Sequence, residues 1–294
     1  MLMIGPPGSG KTMLAQSLLS ILPPLDTEES ITVTQIYSAA GLLPHNHIIQ
    51  ERPFRSPHHT ASSVSVIGGG QNPRPGEVSL AHSGLLFLDE MPEFRRDLLE
   101  ALRQPLENGT VHIARAKGTL TFPARFSLIG AMNPCPCGYF GDTVKECTCG
   151  AFEVARYQRK ISGPLLDRID LHINVPRLNK DDLIKKGDHT LRETLKKQIT
   201  QARTLQKDRF NRASIKALTN SELSSRHIEA LIKLSPHAKN LGEKLFSHSN
   251  MSARAYFRIM KIAQTIADLE KSETVEENHL AEAFQYKTKN FLNA

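Results

Sequence analysis

The chain has 294 residues, with 37 basic against 30 acidic side chains and a formal net charge of +7. At 39% hydrophobic and 23% charged residues it reads as an ordinary two-domain globular protein, which excludes general disorder. No apolar tract reaches the ~18 residues of a spanning helix and the opening MLMIGPPGSGKT is no signal peptide, so a cytoplasmic protein with no membrane partner is expected.

The first apolar run, Leu2 to Ile4, reads as a strand. It leads into Gly5-Pro6-Pro7-Gly8-Ser9-Gly10-Lys11-Thr12, which matches G-x-x-x-x-G-K-[ST], and a helical pattern follows from Met13 to Leu22. Strand, glycine-rich loop and helix start are the context in which backbone N–H groups cradle phosphates. In that role Lys11 reaches the β- and γ-phosphates of ATP and Thr12 holds Mg²⁺.

A weaker strand is expected around Arg52 to Ser56, followed by His58 and His59 in RSPHHT. Adjacent histidines on a strand point to opposite faces, so joint chelation is disfavoured and a loop role preferred. The stretch Gly68 to Leu80 reads as an insertion, with Arg74 inside Pro73-Arg74-Pro75-Gly76. Next, Gly84-Leu85-Leu86-Phe87-Leu88-Asp89-Glu90 is a strand that delivers two carboxylates at its end. Beside a phosphate loop, Asp89 coordinates Mg²⁺ through water and Glu90 orients or deprotonates the attacking water.

From Thr110 to Phe126, VHIA and TLTF flank Arg115-Ala116-Lys117-Gly118, the pattern of a β-hairpin. Strands are expected again at Phe126 to Met132 and at Asp170 to Val175. Continuous apolar runs of this kind suit a parallel sheet covered on both faces. Between them lie Cys135-Pro-Cys137 and Cys147-Thr-Cys149, two pairs separated by nine residues. Four thiolates can close a tetrahedral, structural Zn²⁺ site; free thiols are the competing reading, and disulfides rank last in a reducing compartment. Composition shifts to helix formers near Pro176 to Asp181, which divides the chain into 1–178 and 179–294. In the second part Ser252 caps a helix to about Leu269, with Ala255, Ile259, Ile262, Ala263 and Ile266 on one face.

Taken in order, GPPGSGKTMLA, RPFRSPHHTAS, PGEVSLAHSGLLFLDEMPEF, PARFSLIGAMNPCPCGYFGD and SGPLLDRIDLHI resemble the AAA+ ATPases of the magnesium-chelatase-related branch, and within it the ComM/YifB family. The resemblance covers nearly all of the chain. It implies an α/β core with parallel strands in the order 5-1-4-3-2, a C-terminal helical lid, and a homo-oligomeric ring, expected to be a hexamer, with ATP between subunits. Members of the family carry a further N-terminal domain and a segment before the phosphate strand. Here the chain starts inside that strand, and a fragment or truncated product is therefore expected.

By the same resemblance, Asn133 is sensor 1, which bonds the γ-phosphate or the lytic water; a turn cap before Pro134 is the plainer alternative. Arg168 in GPLLDRID resembles the arginine finger that enters a neighbouring subunit's site, against a surface salt bridge to Asp167 or Asp170. Arg254 resembles sensor 2. In this branch the hairpin points into the central pore, which would put Arg115 and Lys117 at its tip and Arg74 on a second loop. There they track the phosphate backbone of single-stranded or branched DNA, unless they are merely solvated surface. Two functions are implied: a DNA branch-migration motor of recombination and natural transformation, or a chelatase-like or chaperone-like ATPase that remodels a protein partner.

Overall fold

A computed structural model describes residues 1–43, 47–115, 118–177, 189–248 and 251–288. It divides into two compact units, Met1–Lys186 and Gly187–Ala294.

The short apolar runs of the first unit become strands in chain order: β1 (Leu2–Ile4), β2 (Phe54–Arg55), β3 (Gly68–Gly69), β4 (Arg74–Pro75), β5 (Leu85–Leu88), β6 (Thr110–Arg115), β7 (Gly118–Pro123), β8 (Ser127–Met132) and β9 (His172–Asn174). Five of them form one parallel sheet in the order β2-β5-β8-β1-β9. Numbered among themselves and taken from the other edge, these strands run 5-1-4-3-2, as the resemblance implies. All of β1 and β5 is buried, which is why neither alternates polar with apolar residues. Burying each large side chain of β5 contributes roughly 1.5–3 kcal/mol.

The edge strand β2 is shorter than the expected Arg52 to Ser56, because Pro53 has no amide to extend the ladder and offers only its carbonyl, to Leu85 N at 2.8 Å. What fixes this edge is Arg52. Its guanidinium forks onto Glu29 at 2.9 and 2.8 Å and donates to Ser83 O at 2.6 Å. Glu29 in turn belongs to the capping box that starts the helix Thr27–Ala40.

Two small antiparallel ribbons, β3-β4 and β6-β7, stand apart from the main sheet. They lie against each other: a Cβ added to Gly68 would sit 3.3 Å from Ile113 Cδ1.

The second unit is helical, with helices His189–Arg212, Ser225–Leu231, Pro236–His248, Ala253–Leu269 and Glu277–Thr288. Ser252 caps the fourth, its Oγ accepting from Ala255 N at 3.2 Å. Ile259 and Ala263 of its apolar face join Phe210, Ile228, Val275 and Leu280 in one core. At the end of this helix sits a fully buried carboxylate. Asp268 pairs with Arg209 and accepts from Asn220 Nδ2 at 2.8 Å, Gln264 Nε2 at 2.9 Å and Gln206 Nε2 at 3.1 Å. Removing one partner of such a set strands the other charge away from water, so Asp268→Ala is expected to cost about 3–5 kcal/mol in urea unfolding. A loss below ~1 kcal/mol would show that Arg209 finds water once the carboxylate is gone.

Candidate nucleotide site

The phosphate-loop sequence folds where strand β1 meets the helix Lys11–Leu19. Gly8 and Gly10 have φ of 76° and 82°, left-handed conformations that let the chain double back into the helix start without strain. Lys11 is buried, and its Nζ donates to Gly5 O at 2.8 Å, Pro6 O at 2.9 Å, Ser9 Oγ at 3.3 Å and Asn133 Oδ1 at 3.3 Å. Burial holds this ammonium below the usual lysine range, with the Asp89 carboxylate pulling it back up.

Parallel pairing brings the remaining groups to the same end of the sheet. Ile4 of β1 lies beside Met132 of β8, so Asn133 emerges next to Gly5, whose amide donates to Met132 O at 3.2 Å. One strand further out, β5 ends at Leu88. Asp89 reaches back across β8 and accepts from Thr12 Oγ1 at 2.8 Å. This is the crevice beyond the carboxyl ends of the strands, where open α/β sheets bind ligands.

Glu90 follows in a left-handed conformation, φ 50°, which costs a non-glycine residue ~1–2 kcal/mol. Its amide donates to Asp89 Oδ1 at 2.9 Å, and the chain turns away into Met91–Glu93. The Glu90 side chain is exposed and faces His59, with Oε2 3.7 Å from Nδ1. His59 lies in the loop after β2, its ring 4.1 Å from that of His58 and edge-on to Phe94. Sequence reasoning gave both histidines a loop role and missed this contact. Beneath the site, Tyr157 is pushed up to about 12 by burial and by the Glu93 and Glu90 carboxylates, so its hydroxyl stays protonated.

The four cysteine Sγ atoms lie within 4.8 Å of one another. Cys135 is 3.3 Å from Cys137 and 3.6 Å from Cys147, and Cys137 is 3.5 Å from Cys147; all four thiols are free. Burial pushes the Cys137 thiol up, but donors at Tyr139, Thr148, Cys135 and Cys149 outweigh it and bring it down to about 5.

Arg168 lines a cleft of about 390 Å³ with Ile67, Arg103, Glu107 and His112. Its side chain is 8% exposed, ion-paired to Glu107 at 2.9 Å and donating to Pro164 O at 2.7 Å. Arg254 occupies the first turn of the helix Ala253–Leu269 in the second unit. Arg74 is exposed on β4, and Arg115 ends β6 opposite Gly118. Lys117 lies outside the described residues.

A parallel 5-1-4-3-2 sheet with a phosphate loop, two carboxylates and an asparagine converging at its carboxyl end defines an α/β core of AAA+ type. Residues 1–183 match the family model described as magnesium chelatase, subunit ChlI, and residues 191–287 match that of the subunit ChlI C-terminal region. The chain is 42% identical over 290 residues to YifB of Salmonella typhimurium and 41% identical over 288 residues to competence protein ComM of Haemophilus influenzae. Each alignment covers 98% of this chain and 55% of the relative. DNA replication licensing factor Mcm6 of Drosophila melanogaster is 25% identical over 224 residues, 74% of this chain and 26% of that protein. The chain therefore belongs to the magnesium chelatase ChlI family, is similar within it to YifB and ComM, and spans about half the length of those two relatives. No helix among the described residues is long and apolar enough to cross a membrane.

Proposed function

We propose that this chain carries the ATP-hydrolysing core, residues 1–178, and the helical lid, residues 179–294, of a cytoplasmic homo-hexameric ring motor that acts on single-stranded or branched DNA. The work assigned to it is branch migration in recombination and natural transformation. The observation that carries the ATPase reading is the convergence of Lys11, Thr12, Asp89 and Asn133 within hydrogen-bond reach. Thr12 and Asp89 offer hard oxygen donors that fit Mg²⁺, which when bound neutralises phosphate charge.

Around that pair the chain's own groups divide the labour. Main-chain amides of Gly8, Gly10, Lys11 and Thr12, at the helix start, bind the phosphates. Lys11 balances the β- and γ-phosphate charge, and Asn133 marks the γ-position. Glu90 takes the proton of the attacking water, with His59 Nδ1 3.7 Å from its carboxylate. Arg168 and Arg254 serve as arginine finger and sensor 2. The four cysteines hold one structural Zn²⁺.

The DNA reading rests on two ribbons side by side, β3-β4 carrying Arg74 and β6-β7 carrying Arg115, and on the name of the ComM relative. Repeated around a ring, these positions concentrate positive charge that tracks phosphates without reading bases. The competing reading is a chelatase-like or chaperone-like ATPase that remodels a protein partner, favoured by the family's own description. The two separate on a DNA-dependent ATPase assay. Branched or single-stranded DNA is expected to stimulate turnover several-fold, and Arg115→Ala with Lys117→Ala is expected to abolish the stimulation while basal hydrolysis persists. Equal turnover with and without DNA, with stimulation by a protein instead, would replace the motor by the remodelling ATPase.

A further inference from the structure

We propose that the four-cysteine loop is a metal-braced strut for the phosphate loop, so that Zn²⁺ occupancy sets nucleotide affinity. The inference rests on the reading of Gly5 to Thr12 as a nucleotide-binding loop and adds to it a site of control.

The loop leaves the end of β8 at Asn133 and returns at the helix Ala151–Gln158. Its base is closed twice, by Gln158 Nε2 donating to Pro134 O at 3.0 Å and by the Tyr157 hydroxyl against the Asn133 backbone. Above that base, Cys135 is fully buried, and Gly138 N donates to its carbonyl at 3.0 Å. The resulting turn holds Gly138 at φ +87° directly against the phosphate loop. A Cβ added there would lie 2.6 Å from Pro7 Cδ, 2.7 Å from Pro7 Cγ and 3.8 Å from Asn133 Cγ. A proline ring cannot swing aside as a flexible side chain would. The main chain between two cysteines therefore bears on the loop that receives the phosphates and on the asparagine that shares Lys11.

The strut's outer turn is held by polar contacts, among them Lys145 Nζ 4.2 Å and the Arg177 guanidinium 5.7 Å from the Tyr139 ring centre. At its outer part Val144 is 74% exposed, so the loop has scant apolar interior of its own. Asp142 accepts from the amides of Val144 and Lys145 and pairs with Arg177 at 2.8 Å, which pins that outer turn alone. The link from Cys135-Cys137 to Cys147-Cys149 is made by sulfur. A tetrahedral zinc with Zn–S near 2.3 Å spaces its sulfurs roughly 3.8 Å apart; those of Cys135, Cys137 and Cys147 lie 3.3–3.6 Å apart and that of Cys149 within 4.8 Å of them. Amides of Phe140, Cys137 and Cys149 donate to Cys135, Cys149 and Cys147 Sγ at 3.3, 3.4 and 3.4 Å, the kind of support that orients metal ligands. Four cysteine ligands leave no open position, so the ion's part is mechanical.

The test measures metal content and nucleotide affinity separately on the 294-residue chain, by elemental mass spectrometry and by titration with a fluorescent ATP analogue. About one zinc per chain is expected, and its removal by a chelator should weaken nucleotide binding about tenfold or more, with recovery when Zn²⁺ is returned. Because Cys147→Ser with Cys149→Ser can unfold the loop entirely, Gly138→Ala supplies the second variant. It should keep its zinc and its helical circular dichroism yet lose affinity to a similar degree, since its new methyl group pushes on Pro7. Zinc content near zero in a chain that binds nucleotide normally would overturn the strut, as would unchanged affinity in stripped protein or in Gly138→Ala. A zinc-loaded chain that binds no nucleotide would instead bring down the phosphate-loop reading, and the coupling with it.

Discussion

Lys11→Ala is expected to leave a folded chain that no longer hydrolyses ATP and binds it ~10²-fold more weakly. The ammonium sits at the centre of the candidate site, within 2.8–3.3 Å of two loop carbonyls, Ser9 and Asn133. A hydrogen bond to a charged group is worth ~1.5–3 kcal/mol, and two such contacts to phosphate oxygens account for the loss in affinity. Turnover falls further, because charge accumulates on the γ-phosphoryl oxygens as the reaction proceeds and Lys11 is placed to meet it. Stability should change little: burial already works against the ammonium, so alanine relieves a desolvation cost while losing the bonds that offset it. Calorimetric binding, phosphate release and thermal melting measure the three effects. Hydrolysis within about tenfold of the parent would mean that the motif is only a glycine-rich turn.

Arg168→Ala should behave differently, with nucleotide affinity unchanged and turnover reduced ~10³-fold in the assembled ring. The reason for separating binding from turnover lies in the cleft where Arg168 sits. Within one chain its guanidinium is engaged by Glu107 and Pro164 O, and its Nε is buried without a hydrogen-bond partner among the described residues. A finger must leave this cleft to serve a neighbour's phosphate, so Glu107 opposes its release. Glu107→Gln should therefore raise the ATPase rate, most at protein concentrations where assembly is incomplete. Mixing Arg168→Ala chains with Lys11→Ala chains gives a sharper reading. Each lacks what the other supplies, and interfaces that pair an intact loop with an intact arginine should regain activity. If mixtures stay as inactive as either variant alone, Arg168 acts within its own chain and the salt bridge to Glu107 is structural.

Much of the fold is legible in the residues themselves. Buried parallel strands announce themselves as unbroken apolar runs, as at Leu85 to Leu88, and the hairpin is marked by alternation on either side of a glycine-containing turn. The phosphate loop is readable because its chemistry needs glycines at fixed offsets from a lysine. Contacts that depend on register are not readable in this way. His59 meets Glu90 because β2 pairs in parallel with β5, Phe54 against Leu85, so that the loops leaving both strands emerge side by side. Nothing in RSPHHT specifies that register. Glu107 reaching Arg168 and Gly138 resting on Pro7 are of the same kind, products of how distant segments are stacked. Asp268 is hidden for another reason: in an amphipathic helix, a carboxylate that is buried beside the apolar face looks in sequence like one that faces water.

The position of β1 between β8 and β9 also has a consequence for how the protein is made. Leu2 has Gly130 on one side and His172 on the other, partners 128 and 170 positions along the chain. At ribosomal speeds of roughly 5–20 residues per second, the segment that carries the phosphate loop waits on the order of ten seconds or more for its second neighbour to be synthesised. During that interval three adjacent apolar residues and their strand edges have no lasting cover, and the long loop to be closed slows their docking. The centre of the sheet is thus completed late, and the polypeptide that emerges first there depends on the one that emerges last.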